Sequence, residues 1–150
     1  MEGYLRHIAL FVPDLQAAEE YYQSLFGMKL IGREAELEDG LWYTLPFDQG
    51  WNDARAAGIE LDMVALRKGE IVLALFAGDA PQGQVFAIGL SLSQEEISGI
   101  RSRLPVDVEV DTDQPDNLVF RDSYQILWQI SIPGDEFRTA GNFAGRWLEI

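Results

Sequence analysis

His7-Ile-Ala-Leu-Phe-Val-Pro-Asp14, followed by a run that closes at Phe26-Gly27, decides how this chain reads. Leu5 to Val12 is apolar on both faces, as a central strand requires. Pro13-Asp14 breaks that strand, and the Asp14 carboxylate is placed to cap a helix. Leu15, Ala18, Tyr22, Leu25 and Phe26 then recur at helical spacing, which predicts one buried stripe. Gly27 is a natural stop, because glycine enters the left-handed conformation without strain.

Outward from this unit the pattern continues as strands. Met28 to Glu34, Glu60 to Leu66 and Glu70 to Phe76 read as three, the last two joined by a turn at Arg67-Lys68-Gly69. Beyond the loop Gly78-Asp-Ala-Pro-Gln-Gly83, Val85 to Leu92 reads as another strand. Ser93-Gln-Glu-Glu96 is a capping box opening a helix with Ile97, Ile100 and Leu104 as its apolar stripe, and Pro105 ends it. Val106 to Val110, Asn117 to Arg121 and Ile126 to Ile130 complete the series. Strand, helix and three strands thus occur twice, offset by about 80 residues. The fold class predicted is α+β with an antiparallel-rich sheet. It is read as a single domain over residues 1–150, with module one at about 4–77, module two at about 84–131 and a C-terminal tail at 132–150.

Composition sets limits. The hydrophobic share of 47% and charged share of 24% are ordinary for a soluble globular protein. No apolar run is long enough to span a bilayer, and no basic segment followed by an apolar one opens the chain, so neither a membrane span nor a signal peptide is expected. The lack of cysteine removes disulfides, thiolate metal sites and cysteine nucleophiles, and fits a cytoplasmic location. A net charge of −14, from 25 acids against 11 bases, disfavours nucleic acid as a partner and attracts cations; it also serves solubility alone.

The combination His-Ile-Ala-Leu, Val-Pro-Asp and Phe-Gly resembles the opening of the vicinal oxygen chelate superfamily, which holds glyoxalase I, ring-cleaving dioxygenases and the bleomycin-resistance proteins. Arg121-Asp-Ser-Tyr-Gln-Ile-Leu-Trp-Gln-Ile130 is similar to that family's closing Asp-Pro-x-Gly-x-x-Trp-Glu strand, with Ser123 in place of proline and Gln125 in place of glycine. The resemblance covers roughly residues 4–131 and implies two βαβββ modules forming a cupped mixed sheet around a ligand site.

It also implies where a divalent metal is held in the family's enzymes: one side chain from each of four corresponding strands. His7 occupies the first position, Ala74 the second, Ala87 the third and Gln129, after Trp128, the fourth. Divalent transition metals want three or four His, Cys or carboxylate groups, and a neutral amide is a weak substitute. His7 is the only histidine, so it is the one candidate ligand; a shift at Ala74 would bring in Glu70 or Glu60. No nucleophile elbow or phosphate-cradling loop is present, and catalytic residues remain unassigned. His7 itself reads either as a general base or as a hydrogen-bonding core residue.

If the implied cup forms, alternation puts His7, Ala9 and Phe11 on one face of the first strand, Ala74 and Phe76 on the fourth, Ala87 and Ser91 on the fifth and Gln129 on the last. Such a face is small and mostly apolar, as small-molecule sites usually are, unless larger side chains from elsewhere fill it. The long segment Leu37 to Gly58 carries Trp42, Tyr43, Phe47 and Trp51, and Trp42 and Trp51 are candidates to stack on a flat ligand or a cation. The alternative is a satellite cluster under a loop. Val106-Asp-Val-Glu-Val-Asp-Thr-Asp113 alternates acid with valine, either to protect an edge strand or to face a cationic ligand. Phe137, Phe143, Trp147, Leu148 and Ile150 make the tail too apolar for a disordered end, so it should pack on its own domain or on a partner.

The function expected is a metal-free small-molecule-binding protein, with no cofactor, sequestering a cationic or aromatic compound as a homodimer in the manner of the bleomycin-resistance branch. The alternative is a metal-dependent lyase, isomerase or dioxygenase of the same superfamily with displaced ligands. A third reading, an interaction module, rests on the apolar tail.

Overall fold

The decisive stretch forms β1 (Tyr4–Val12) and α1 (Leu15–Phe26). The computed structural model describes residues 3–78, 84–106, 108–121, 125–134 and 137–150; the 79–83 loop, Asp107 and Ser123 lie outside the described residues. Asp14 Oδ1 accepts from the Ala17 amide at 3.0 Å, and Gly27 closes the helix at a φ of 67°. The stripe on α1 is shorter than its spacing predicts. Leu15 is buried and Ala18 and Tyr22 pack on the core, but Leu25 and Phe26 are 55% and 49% exposed. The other buried side chain of this helix is Glu19, to which Arg33 donates twice, Nε at 2.7 Å and Nη2 at 2.8 Å. That forked pairing is what makes burial of the carboxylate tolerable.

The remaining elements are β2 (Lys29–Glu36), β3 (Trp42–Thr44), α2 (Trp51–Ala56), β4 (Met63–Lys68), β5 (Ile71–Ala77), β6 (Val85–Ser91), α3 (Gln94–Arg103), β7 (Glu109–Gln114), β8 (Asn117–Arg121), β9 (Leu127–Ser131) and α4 (Ala140–Ala144). The strand, helix and strands order occurs twice, as expected, and the α+β class holds. Three details depart from expectation. The 37–58 segment is no plain loop, since it contains β3 and α2, with Leu45 and Ala54 buried against Leu61. The acidic strand begins at Glu109, leaving Val106 fully exposed, and carries a bulge between Val110 and Thr112. Asp113 of β7 is paired with Arg101 of α3.

The chain divides into two compact units, one of residues 1–9 and 85–137, the other of 10–84 and 138–150. β1 gives its first six residues to the former and its last three to the latter. In the 85–137 unit the strands run β1-β6-β9-β8-β7, with β6 and β9 parallel and the β7·β8 and β8·β9 pairs antiparallel. Ser93 caps α3, which covers Ile130, Leu118 and Phe120. In the 10–84 unit β3-β2-β4-β5 are antiparallel neighbours, and α1 covers Val64, Leu66 and Leu75.

The tail belongs to this second unit. Thr44 N donates to Arg146 O at 2.8 Å and Leu148 N to Thr44 O at 2.6 Å, so the tail bridges to β3, and Leu148 is buried with Ala35 and Leu45. Among the described residues no helix is long and apolar enough to cross a membrane.

Candidate functional site

Because side chains alternate along a strand, the residues covered by each helix fix which ones share the opposite, far face. In the 85–137 unit α3 packs on Leu90, Trp128 and Ile130, so Ala87, Gly89, Ser91 and Gln129 lie on the far face. Gly89 and Gln129 are register partners on neighbouring parallel strands, and β1 lies on the other side of β6.

His7 crosses β6 to reach Gln129. Its Nε2 stands 2.7 Å from Gln129 Oε1. The crossing is possible only over a glycine: a Cβ on Gly89 would sit 2.2 Å from His7 Nδ1. An amide oxygen can only accept, so the imidazole carries its proton on Nε2 and keeps a lone pair on Nδ1, which is buried without a partner. Phe137 packs edge-on against the ring at 5.1 Å. Burial pulls the His7 pKa below its ordinary 6.5, with the Arg6 charge adding to the fall and the Gln129 bond opposing it. The residue is therefore a neutral imidazole at pH 7. Nearby, Arg6 Nη1 donates to Ser131 Oγ at 2.7 Å, while the buried Ser91 Oγ has no partner. Ala9 and Ala87 are buried as well.

The other five predicted site residues lie in the 10–84 unit. Ala74 and Phe76 are on its far face, opposite Leu73 and Leu75 under α1. Trp42 meets Phe76 edge-on at 6.0 Å, and the Phe11 ring lies against Gly78. Trp51 does not join them. It packs against both core clusters on the α1 side, with the Arg33 guanidinium 5.4 Å above its ring.

Glu34 was not singled out from sequence, and it is the most unusual group on this face. Its side chain is buried, with Oε2 accepting from Thr44 Oγ1 at 2.8 Å and from the Ala140 amide. Thr44 Oγ1 in turn accepts from Gly141 N at 2.6 Å. A β-bulge at Ile31 brings Glu34 there. Leu30 pairs with Leu66 under α1, yet Gly32 pairs with Ala65 and Glu34 with Met63 on the far face. Strict alternation from Leu30 would have sent Glu34 toward the helix, so only the bulge itself could have revealed it.

A divalent metal does not fit the donors at the four positions implied by the family resemblance. Ala74 and Ala87 offer no donor atom, which leaves one imidazole, with only Nδ1 uncommitted, and one neutral amide where three or four good donors are needed. Among the described residues no group of three His, Cys, Asp or Glu side chains is placed to hold a metal ion.

Comparison with known proteins agrees with this architecture. The family model described as the Glyoxalase/Bleomycin resistance protein/Dioxygenase superfamily matches residues 4–87, more than half of the chain. No curated protein matches. Among solved structures, a hypothetical protein from Bacillus halodurans C-125 is 13% identical with a TM-score of 0.55, over 93% of this chain and 100% of that one. Methylmalonyl-CoA epimerase from Mycobacterium tuberculosis is 17% identical with a TM-score of 0.50, over 87% of each chain. A methylmalonyl-CoA epimerase in complex with methylmalonyl-CoA and NH4+ is 15% identical with a TM-score of 0.50, over 89% of this chain and 96% of that one. At these identities the structural likeness concerns the fold alone. With the family match spanning the first module and the opening of the second, and each module running strand, helix, strands, this chain belongs to the Glyoxalase/Bleomycin resistance protein/Dioxygenase superfamily.

Proposed function

We propose that this protein binds a small organic molecule without a metal ion, rather than turning one over by the metal chemistry of the superfamily's enzymes. The observation that carries this reading is the 2.7 Å bond between His7 Nε2 and Gln129 Oε1. It joins two of the four positions at which those enzymes hold their metal, and the other two are alanines. That bond commits Nε2 and the amide oxygen, so Nδ1 is the one ligand these four positions have left, and a single neutral nitrogen is too few for a divalent metal.

The chemistry left to these residues is binding and orientation. The Nδ1 lone pair and the Ser91 hydroxyl are hydrogen-bonding groups without a partner among the described residues, and Ala9 and Ala87 are buried on the same strands. With a net charge of −14, the ligand favoured is cationic or aromatic, and the protein works as a homodimer, in keeping with the branch it resembles.

Elemental analysis of the purified protein tests this, before and after incubation with manganese, iron, nickel and zinc followed by dialysis. The expected result is metal far below one ion per chain, the same in wild type and His7→Ala. Near-stoichiometric metal that disappears in His7→Ala overturns the reading and restores a metal-dependent lyase, isomerase or dioxygenase. Tryptophan-fluorescence titration with cationic aromatic compounds is the positive arm.

A further inference from the structure

We propose that the segment Thr139–Gly145 is a displaceable strap lying on a cation-accepting face of the 10–84 unit, with the Glu34 carboxylate as the seat for a ligand's ammonium or amidinium group. This deepens the binding reading above and rests on it, naming the ligand's charged group and what must move to admit it.

The seat comes first. Glu34 is 5% exposed, and among the described residues no Lys or Arg pairs with it; the ion pairs found there are Arg33–Glu19 and Arg101–Asp113. Its charge is met only by dipoles, a threonine hydroxyl and one backbone N–H of the strap. A buried carboxylate normally takes a cation as partner, since full charge repays desolvation better than a single amide does. In register beside it stands the buried Met63 and, beyond that, Phe76, which meets Trp42 edge-on; the next row on the same face, Gly32, Ala65 and Ala74, is small. Small residues and aromatic faces around one carboxylate suit a flat organic cation.

The strap is the second, independent observation, because it is seated imperfectly. Thr139 is wholly buried, yet its Oγ1 has no partner and it does not cap α4, although it stands at the N-cap position. Buried hydroxyls in a permanent core are almost always paired. The strap reaches this depth only because Gly32 has no side chain: a Cβ there would lie 2.5 Å from Thr139 Cγ2. α4 has only five residues, and its Phe143 is 63% exposed. Arg146 to Leu148, by contrast, are tied to β3 and the core. Lifting the strap therefore breaks the Ala140–Glu34 and Gly141–Thr44 bonds, together with the Arg146 N to Ala140 O bond and the packing of the Trp147 ring on Gly141, and frees Thr139, while the Thr44–Arg146 and Leu148–Thr44 bonds hold the end of the chain.

Hydrogen exchange on the full-length protein, with benzamidine as the probe cation and benzamide as its neutral isostere, tests the proposal. Without a probe, the Ala140 and Gly141 amides should exchange through an opening well short of global unfolding, while β4 and β5 amides exchange only with it. Benzamidine should speed exchange at Ala140 and Gly141; benzamide should not. Glu34→Gln should weaken the benzamidine response at least about tenfold. Ala140→Pro, which removes the amide that holds Glu34 at a first helical position where proline is tolerated and leaves the residues of the seat unchanged, should tighten benzamidine binding by about tenfold, since the open state no longer has to be selected. The Ala140→Pro arm decides the matter if Glu34→Gln fails to fold. Strap amides that open only with the whole protein, an equal response to benzamide, or no benzamidine binding by folded Ala140→Pro would each overturn the proposal. None of these outcomes alters the metal content, on which the binding reading turns.

Discussion

A glycine at position 89 decides what His7 can do. Without a Cβ in the way, the imidazole crosses one strand and reaches the amide on the next; with one, it would have to turn aside. Buried and neutral, His7 links protonation to unfolding. Its folded pKa lies below 6.5, so from 6.5 downward the unfolded chain takes up a proton that the folded one refuses. Stability contributed by this residue is therefore complete above 6.5 and lost as pH falls toward the folded value, at no more than about 1.4 kcal/mol per pH unit. Urea midpoints from pH 8 to 5.5 should be level and then decline, and His7→Gln should remove the decline near pH 6. A decline of the same size in His7→Gln would assign it to the carboxylates instead. Both His7 and Gln129 were legible as site candidates. Their partnership was not, because it depends on β1 and β9 flanking β6, which brings together two residues 122 apart in the chain.

Among the elements, the legible ones carry their own end signals. Asp14 and Gly27 bound α1, and Ser93 and Pro105 bracket α3. β3 and α2 are three and six residues long, too short for any periodicity to show before tertiary contacts form them. Trp51 illustrates the difficulty: an aromatic in a long connection reads as a ligand platform, while its helix turns it onto the core and Arg33. The turn before β9 keeps a trace of its origin. Gln125 stands where the family pattern has glycine and adopts a φ of 71°, the left-handed region. A residue with a Cβ is strained there by about 1 kcal/mol, partly offset by the extra freedom glycine would gain on unfolding. Gln125→Gly should raise stability by up to about 1 kcal/mol, seen as a higher urea midpoint at unchanged slope. The Arg121 bond to this residue is to its backbone carbonyl and would survive the change. A lower midpoint would mean the side chain makes a stabilising contact that outweighs the strain.

For the molecule as a whole, the surplus of acid dominates. With a net charge of −14, the folded chain repels itself over distances that salt can shorten. Raising sodium chloride from about 0.01 M to about 0.15 M cuts the screening length from about 30 Å to about 8 Å. Relief of about 1 kcal/mol would lift Tm by about 2–4 °C for a chain of this size. A Tm that falls instead would show that attractive pairs such as Glu19–Arg33 outweigh the repulsion. That the tail packs was foreseeable from its aromatics; that it packs on its own chain, seated on β3 and Glu34, was not, since a bulge three residues earlier sets which charge faces it. Arg33 and Glu34 are adjacent, and one extra residue at Ile31 decides which of them looks toward the strap and which toward α1. A relative with the same residues but an unbroken ladder would present a guanidinium at that spot and select anions. Within this fold, the preferred ligand charge can thus be inverted by a single insertion or deletion, with no substitution at the binding position at all.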